Sequence, residues 1–243
     1  MTTVGDRWLR IVGLVVGEES SELEPTRLCV VSAEVTEMAG AGIMLMTDQG
    51  SSGSLCASDN VSALINEIQF TLGEGPCVDA YDRQRPVMEP NLGTPAITRW
   101  LAFTGQMIEA GAQAVFAFPV QIGAVKLGAI SLYRDHPGPM TDEQHADSIV
   151  LADIAARLIL ALQSDAPPAA LTAELGLAFG AQNVIHQATG MVAIQLGSSL
   201  GTALVRLRAY AFRNDRPLGE VARDVVARKL RFHPERSASD TDS

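Results

Sequence analysis

The residues best able to do chemistry in this chain are arginines. Between Arg206 and Arg231 there are eight Lys and Arg against three Asp and Glu, and guanidinium forks match phosphate oxygens two at a time. Arg206, Arg208, Arg213, Arg216 and Arg223 are candidate phosphate contacts, with Gln187 and Thr189 as neutral hydrogen-bonding groups upstream. The concentration is local. Residues 1–165 carry 9 basic against 21 acidic side chains, a net of −12. Residues 166–243 carry 9 against 7, a net of +2, and the whole chain is at −10. Attraction to a polyanion follows local potential, so a basic segment on an acidic protein points to nucleic acid. The plainer reading is a solvated helical face. A protein that reads unpaired bases also needs stacking groups, and Tyr210, Phe212 and His186 are the rings at hand.

Other chemistries find no constellation. His136, His145, His186 and His233 are scattered without paired ligand spacing, so no metal centre is expected. There is no P-loop or dinucleotide glycine pattern, and Gly73-Glu74-Gly75 is too short and too acidic to cradle phosphate. Asp135, His136 and Glu143 make no triad. The expectation is a protein that is not an enzyme and needs no cofactor. Cys77 follows Pro76 at a helix start, where a thiolate can be favoured; the plainer role is a small buried hydrophobe. Cys29, Cys56 and Cys77 lie far apart without a Cys-x-x-Cys pair, which argues for a reducing compartment, the cytoplasm, and against a disulfide framework. The run at 11–16 is followed by Glu18, Glu19, Glu22 and Glu24 instead of a cleavage site. Residues 175–205 lack charge but hold Gln182, Asn183, His186, Gln187 and Gln195, a poor membrane span.

The elements that must position the arginines follow from periodicity. Gln-Ser-Asp-Ala-Pro-Pro at 163–168 breaks a long helical pattern and divides the chain. Ahead of it, Leu28, Val31, Val35 and Met38 predict a helix opened by Pro25. Residues 41–46 and 51–57 predict a hairpin. Asp59 caps a helix to about Phe70, with Val61, Leu64, Ile65 and Ile68 on one face. A loop enters a short helix at 72–77, a short strand lies in 85–90, and a helix spans about 100–109. A second hairpin pairs 115–121 with 127–133, and a helix runs over 141–163. Hairpin-linked strands with helices between them imply an antiparallel sheet covered by helices, the α+β class. Apolar residues wrap nearly all round the 141–163 helix, so one face packs on the sheet and the other needs a partner; a parallel homodimer is the simplest solution.

Past the break, three helices are expected, over 171–196, 200–213 and from Pro217 onward. Their apolar stripes are Ile185, Ala188, Met191, Val192 and Leu196, then an arc including Ala203, Leu207, Tyr210 and Ala211, then Leu218, Val221, Ala222, Val225 and Val226. Ala188, Gly190, Ala203, Ala211 and Ala222 are small enough for close helix approach. Arg206 and Arg213 share one flank of the second helix and Arg208 the other. The tail after Phe232 is polar and aperiodic.

These residues carry a resemblance. Gln69 and Gly73-Glu74-Gly75-Pro76-Cys77, with Phe118-Pro119-Val120 and the run 127–133, resemble the GAF domains of actinobacterial regulators over 22–163. After a linker at 164–170, the spacing Ile185-x-x-Ala188-x-Gly190, Ala203-x-x-x-Leu207-Arg208-x-x-Ala211, then Asn214, Leu218, Val221 and Ala222, resembles an ANTAR domain over 171–232. The resemblance implies a sensor for a small ligand joined to an RNA-binding three-helix module, acting in transcription antitermination on RNA hairpins. The chain departs from the ANTAR pattern at Thr189, where the family usually has Lys, and at Gln182, where it often has Arg.

Overall fold

The computed structural model describes residues 3–16, 24–47, 50–94, 99–164 and 180–233. They fall into two compact units divided between Ala178 and Phe179. The first holds α1 (Val4–Val16), α2 (Pro25–Thr36), β1 (Gly40–Thr47), β2 (Gly50–Ala57), α3 (Asn60–Leu72), α4 (Pro76–Arg83), β3 (Val87–Glu89), α5 (Leu101–Glu109), β4 (Ala114–Ile122), β5 (Val125–Arg134) and α6 (Asp142–Ser164). The second holds α7 (Gly180–Leu196), α8 (Leu200–Arg213) and α9 (Leu218–Val226).

The strands form one antiparallel sheet in the order β2-β1-β5-β4-β3. Side chains alternate across it with period two. Ala41, Ile43, Phe116, Phe118, Ile130 and Leu132 share the main apolar core with α1, α2 and α6. Gly42, Met44, Ser131 and Tyr133 face the other way, toward α3. This is the covered antiparallel sheet that the pattern predicts.

Two expectations change. The α3 face turned inward is polar as well as apolar: Ser62, Asn66 and Gln69 are buried beside Ile65 and Ile68, whereas Leu64 is 40% exposed. Asn66 fits because β1 carries glycine opposite it; a Cβ on Gly42 would sit 2.6 Å from the Asn66 amide. Asn66 then donates to Ser54 Oγ (2.9 Å) and accepts from Ser131 Oγ (3.4 Å). The second change concerns α6, whose outer side is covered largely within the chain. α1, the run at 11–16 and its N-terminal flank, buries Ile11 and Val15 in the core that α6 shares. Arg7 and Arg10 close on Asp147 of α6 at 2.7 and 2.8 Å. Beyond its first turn, α6 leaves Ile149, Arg157, Leu160 and Ala161 exposed, a narrow stripe where a whole face was expected.

The cysteines also correct the sequence reading. Cys29 of α2 and Cys56 of β2 form a disulfide across a separation of 27 residues. Sequence spacing hides the pair because α2 reaches β2 only once the sheet has formed. No single helix among the described residues is long and apolar enough to cross a membrane; the nearest case, the end of α7 with α8, is bent by 103°.

Candidate nucleic-acid interface

In the second unit, α7 turns Ile185, Ala188, Thr189 and Val192 inward, α8 turns Ala203, Leu207 and Ala211, and α9 turns Leu218, Val221, Ala222 and Val225. The alanines let the axes approach. Gly190 does not serve that purpose, since a Cβ there would meet nothing within 4 Å. Gly197 in the left-handed region (φ 61) stops α7, and Ser199 recaps the chain by accepting the Thr202 N–H at 3.2 Å. Behind α9 the chain returns: Phe232 N–H donates to Gln195 Oε1 (2.9 Å), and the Phe232 ring meets Tyr210 edge-on at 5.5 Å.

The arginines divide into three kinds. Arg206, Arg213 and Arg223 are exposed, the first two on one flank of α8, seven residues apart. Arg208 is half-buried on the opposite flank, and burial pushes its guanidinium down to about 10, which leaves it cationic at neutral pH. Arg216 is held by Asp224 at 2.8 Å and Glu220 at 3.7 Å, and Asp224 pushes its pKa further up. Gln187 is exposed, but Thr189 is only 6% exposed and its hydroxyl donates to the Ile185 carbonyl at 2.7 Å. Thr189 and Arg216 therefore stand apart from the exposed candidates. Thr189 faces the bundle because it falls one residue from Ala188 on the buried arc, and Arg216 is neutralised by carboxylates one and two turns into α9. Of the rings, Tyr210 is taken by Phe232, while Phe212 is 59% exposed. The side chains of Gln182 and His186 lie outside the described residues. Sequence reasoning missed the exposed apolar residues of this unit: Ile194 on α7 is 85% exposed, and on α8 Val205, seven residues before Phe212, shares its outward side. Their exposure was legible only as positions off the core stripe.

In the first unit, the motif at 69–77 proves to be a bracket between helices. Gln69 Oε1 accepts the Cys77 N–H at 2.7 Å, tying α3 to the start of α4. Glu74 Oε1 accepts the N–H groups of Ala102 and Phe103 (3.1 and 3.2 Å), satisfying the start of α5. Gly75 sits at φ 136, and a Cβ there would meet Gln69 at 2.7 Å. Cys77 is fully buried, and burial pushes its thiol up to about 11, so the thiolate considered from its helix-start position is disfavoured. His136 meets Asp135 at 2.8 Å on the surface. Among the described residues no group of three His, Cys, Asp or Glu is placed to hold a metal ion.

Residues 173–226 match the model of the ANTAR domain. No curated protein sequence matches the chain. Two solved structures are similar to the first unit's architecture. The GAF domain of an Acinetobacter phosphoenolpyruvate-protein phosphotransferase aligns over 68% of this chain and 98% of its own at 14% identity, with a TM-score of 0.51. The GAF domain of the corresponding protein (ptsP) from Coxiella burnetii aligns over 67% of this chain and 95% of its own at 15% identity, also with a TM-score of 0.51. At that identity the likeness concerns the fold, and the chain accordingly joins a unit of GAF fold to an ANTAR domain.

Proposed function

We propose that this protein is a signal-responsive regulator of transcription antitermination, in which the ANTAR domain holds RNA hairpins and the GAF-fold unit receives the signal. The observation that carries the reading is the match at 173–226, on a helical trio whose Arg206, Arg213 and Arg223 are exposed. Phosphate contacts by these side chains supply affinity, and Phe212 offers a face on which a loop base can stack. The protein works in the cytoplasm, where transcripts are made. The sensor spans residues 22–163 together with α1, the linker 164–170, and the output module 171–232. A homodimer built on the stripe of the 141–163 helix that α1 leaves uncovered presents two such surfaces to paired hairpins, so that the second contact forms at high effective concentration. A small ligand, or reduction of the Cys29–Cys56 bond, alters that pairing. A gel-shift titration tests the reading: paired-hairpin RNA binds more tightly than a single hairpin or duplex DNA, and Arg213→Ala weakens it. Equal weak binding to every nucleic acid, unchanged in Arg213→Ala, overturns it.

A second reading is favoured by the Arg216 ion pairs and the inward Thr189, which leave the basic display reduced. In it the ANTAR domain is a protein-binding scaffold that uses exposed Ile194, Val205 and Phe212. RNA binding lost in Arg206→Ala/Arg213→Ala but kept in Ile194→Ser/Val205→Ser contradicts this alternative.

A further inference from the structure

On the sheet face covered by α6, a cleft of about 190 Å³ opens between the end strand β3 and the first turn of α6. It is lined by Met88, Phe116, Met140 and His145, together with Pro90 and Pro139. Asp142 and Thr141 line the side nearest the helix start. The opposite sheet face, against α3, is filled by the chain's own Asn66, Gln69 and Cys77, so this is a separate place.

The walls are braced by bonds that involve no group needed by a ligand. Gly138 N–H donates to the Pro90 carbonyl at 2.8 Å, joining the two sides. Arg134, itself buried, donates to the carbonyls of Gly138 (3.4 Å) and Pro139 (2.9 Å) and to Gln144 Oε1 (2.8 Å). Gln144 Oε1 also accepts the Thr141 N–H at 3.0 Å. The His145 ring is fixed by its contact with Phe118, with centroids 5.4 Å apart. The cleft is thus formed in advance, and a ligand entering it orders little.

The lining states the ligand class. Two thioethers and a phenyl ring favour an aromatic guest, through sulfur–ring and ring–ring contacts. An apolar cavity of about 150 Å³ holds benzene, so this volume suits one six-membered ring with a small substituent. The Asp142 carboxylate at the lip accepts a hydrogen bond and repels an anion. We propose that this cleft binds a monocyclic aromatic carrying a hydrogen-bond donor, a phenol being the simplest, with its ring against Met88, Met140 and Phe116 and its hydroxyl on Asp142. Thr141, Asp142 and His145 lie at or beside the start of α6, the last helix of the sensing unit. The proposal therefore gives the sensing half of the function above a ligand, and it rests on that reading only for the consequence of binding.

The test uses the full chain with 13C-labelled methionine methyl groups and p-cresol as probe. Saturable shifts confined to Met88 and Met140, with buried Met44 and Met107 unmoved, are expected. 4-Methylanisole, which lacks the donor, binds about fivefold more weakly, and so does p-cresol to Asp142→Ala, a change at an exposed position. Benzoate gives no saturable shift. Met88→Trp fills the cleft and abolishes the Met140 response; a Met88→Leu variant, which keeps the volume, retains it. Unsaturable shifts, shifts spread over all methionines, or equal binding of benzoate overturn the proposal. RNA shift assays are read separately, so a failed RNA reading leaves these resonances unchanged and a failed cleft leaves RNA affinity unchanged.

Discussion

In the GAF-fold unit, Arg7 and Arg10 close on Asp147, Arg83 and Arg99 on Asp79, Arg99 also on Glu89, and Arg157 on Asp153. Arg27 and Arg134 are spent on carbonyls. In the ANTAR unit Arg216 is held by Glu220 and Asp224, while Arg206, Arg213 and Arg223 are exposed on a scaffold of small apolar residues. The same side chain fastens elements in one unit and is displayed in the other. Composition sets up the contrast: 21 acidic residues precede position 166, and only 7 follow it. A displayed cation needs a local shortage of carboxylates as much as a guanidinium.

The comparison breaks most easily where the first unit is cross-linked. All three cysteines lie in it, so a reductant should lower the unfolding transition of that unit alone. Opening a loop of this size costs roughly 3 to 4 kcal/mol in the chain-entropy account. Calorimetry with and without reductant, and on Cys29→Ala/Cys56→Ala, checks it; a shift in both transitions, or in neither, removes the disulfide as a fastening. Asp147→Ala is the next largest. It leaves Arg7, 12% exposed, without its main partner and loosens α1, for roughly 2 kcal/mol because Arg10 remains half in water. Limited proteolysis ahead of α2 reads the loosening directly.

Much of this architecture was legible because period and punctuation agree. Pro25, Asp59, Gly197 and Ser199 mark ends that the structure reproduces, and the two hairpins fall where alternation places them. What escaped was tertiary. Asn66 and Gln69 read as the solvent side of an amphipathic helix until Gly42 in the sheet and Gly75 at the start of α4 make room for them. α6 asks for a second partner, and its apolar pattern cannot say that α1 supplies part of it. In the candidate interface, the identity of the arginines was visible but their employment was not. Asp224 lies eight residues from Arg216, across a helix start, and only the fold brings them to 2.8 Å.

The contrast sharpens in the second unit through a matched pair of variants. Arg213→Ala should weaken hairpin RNA about fivefold to tenfold and make the salt slope shallower by about 0.7 to 0.9. Arg216→Ala should leave the slope unchanged and lower the melting temperature of the helical unit only slightly, since its ion pairs are partly exposed. Identical slopes for the two variants would mean that display and fastening cannot be told apart by burial and partner.

The smallest effect lies at the ends of the pH scale and belongs to the first unit. Burial pushes Asp59 up, but hydrogen bonds from Ser58, Ser62 and the Val61 N–H outweigh it and hold its carboxyl below the usual value. A carboxyl depressed on folding adds stability above its ordinary pKa and loses it as pH falls through the folded value. Tyr133 has the opposite sense. Burial, then the Asp59 charge beside it, pushes the phenol from 10 up to about 12, so its contribution is whole below pH 10 and is lost as pH rises toward about 12. Asp59 is partly exposed, which limits its effect to roughly a few tenths of a kcal/mol, whereas Tyr133 is buried and its alkaline effect is the larger of the two. Asp59→Asn should flatten the acid limb of a stability–pH curve, and Tyr133→Phe the alkaline limb. Because Tyr133 donates to Asp59 Oδ1 at 3.2 Å, the double variant should move the alkaline limb by less than the sum of the two. Strict additivity would show that the two residues cap α3 and close β5 independently, and that the fastening in this unit is a set of separate ties.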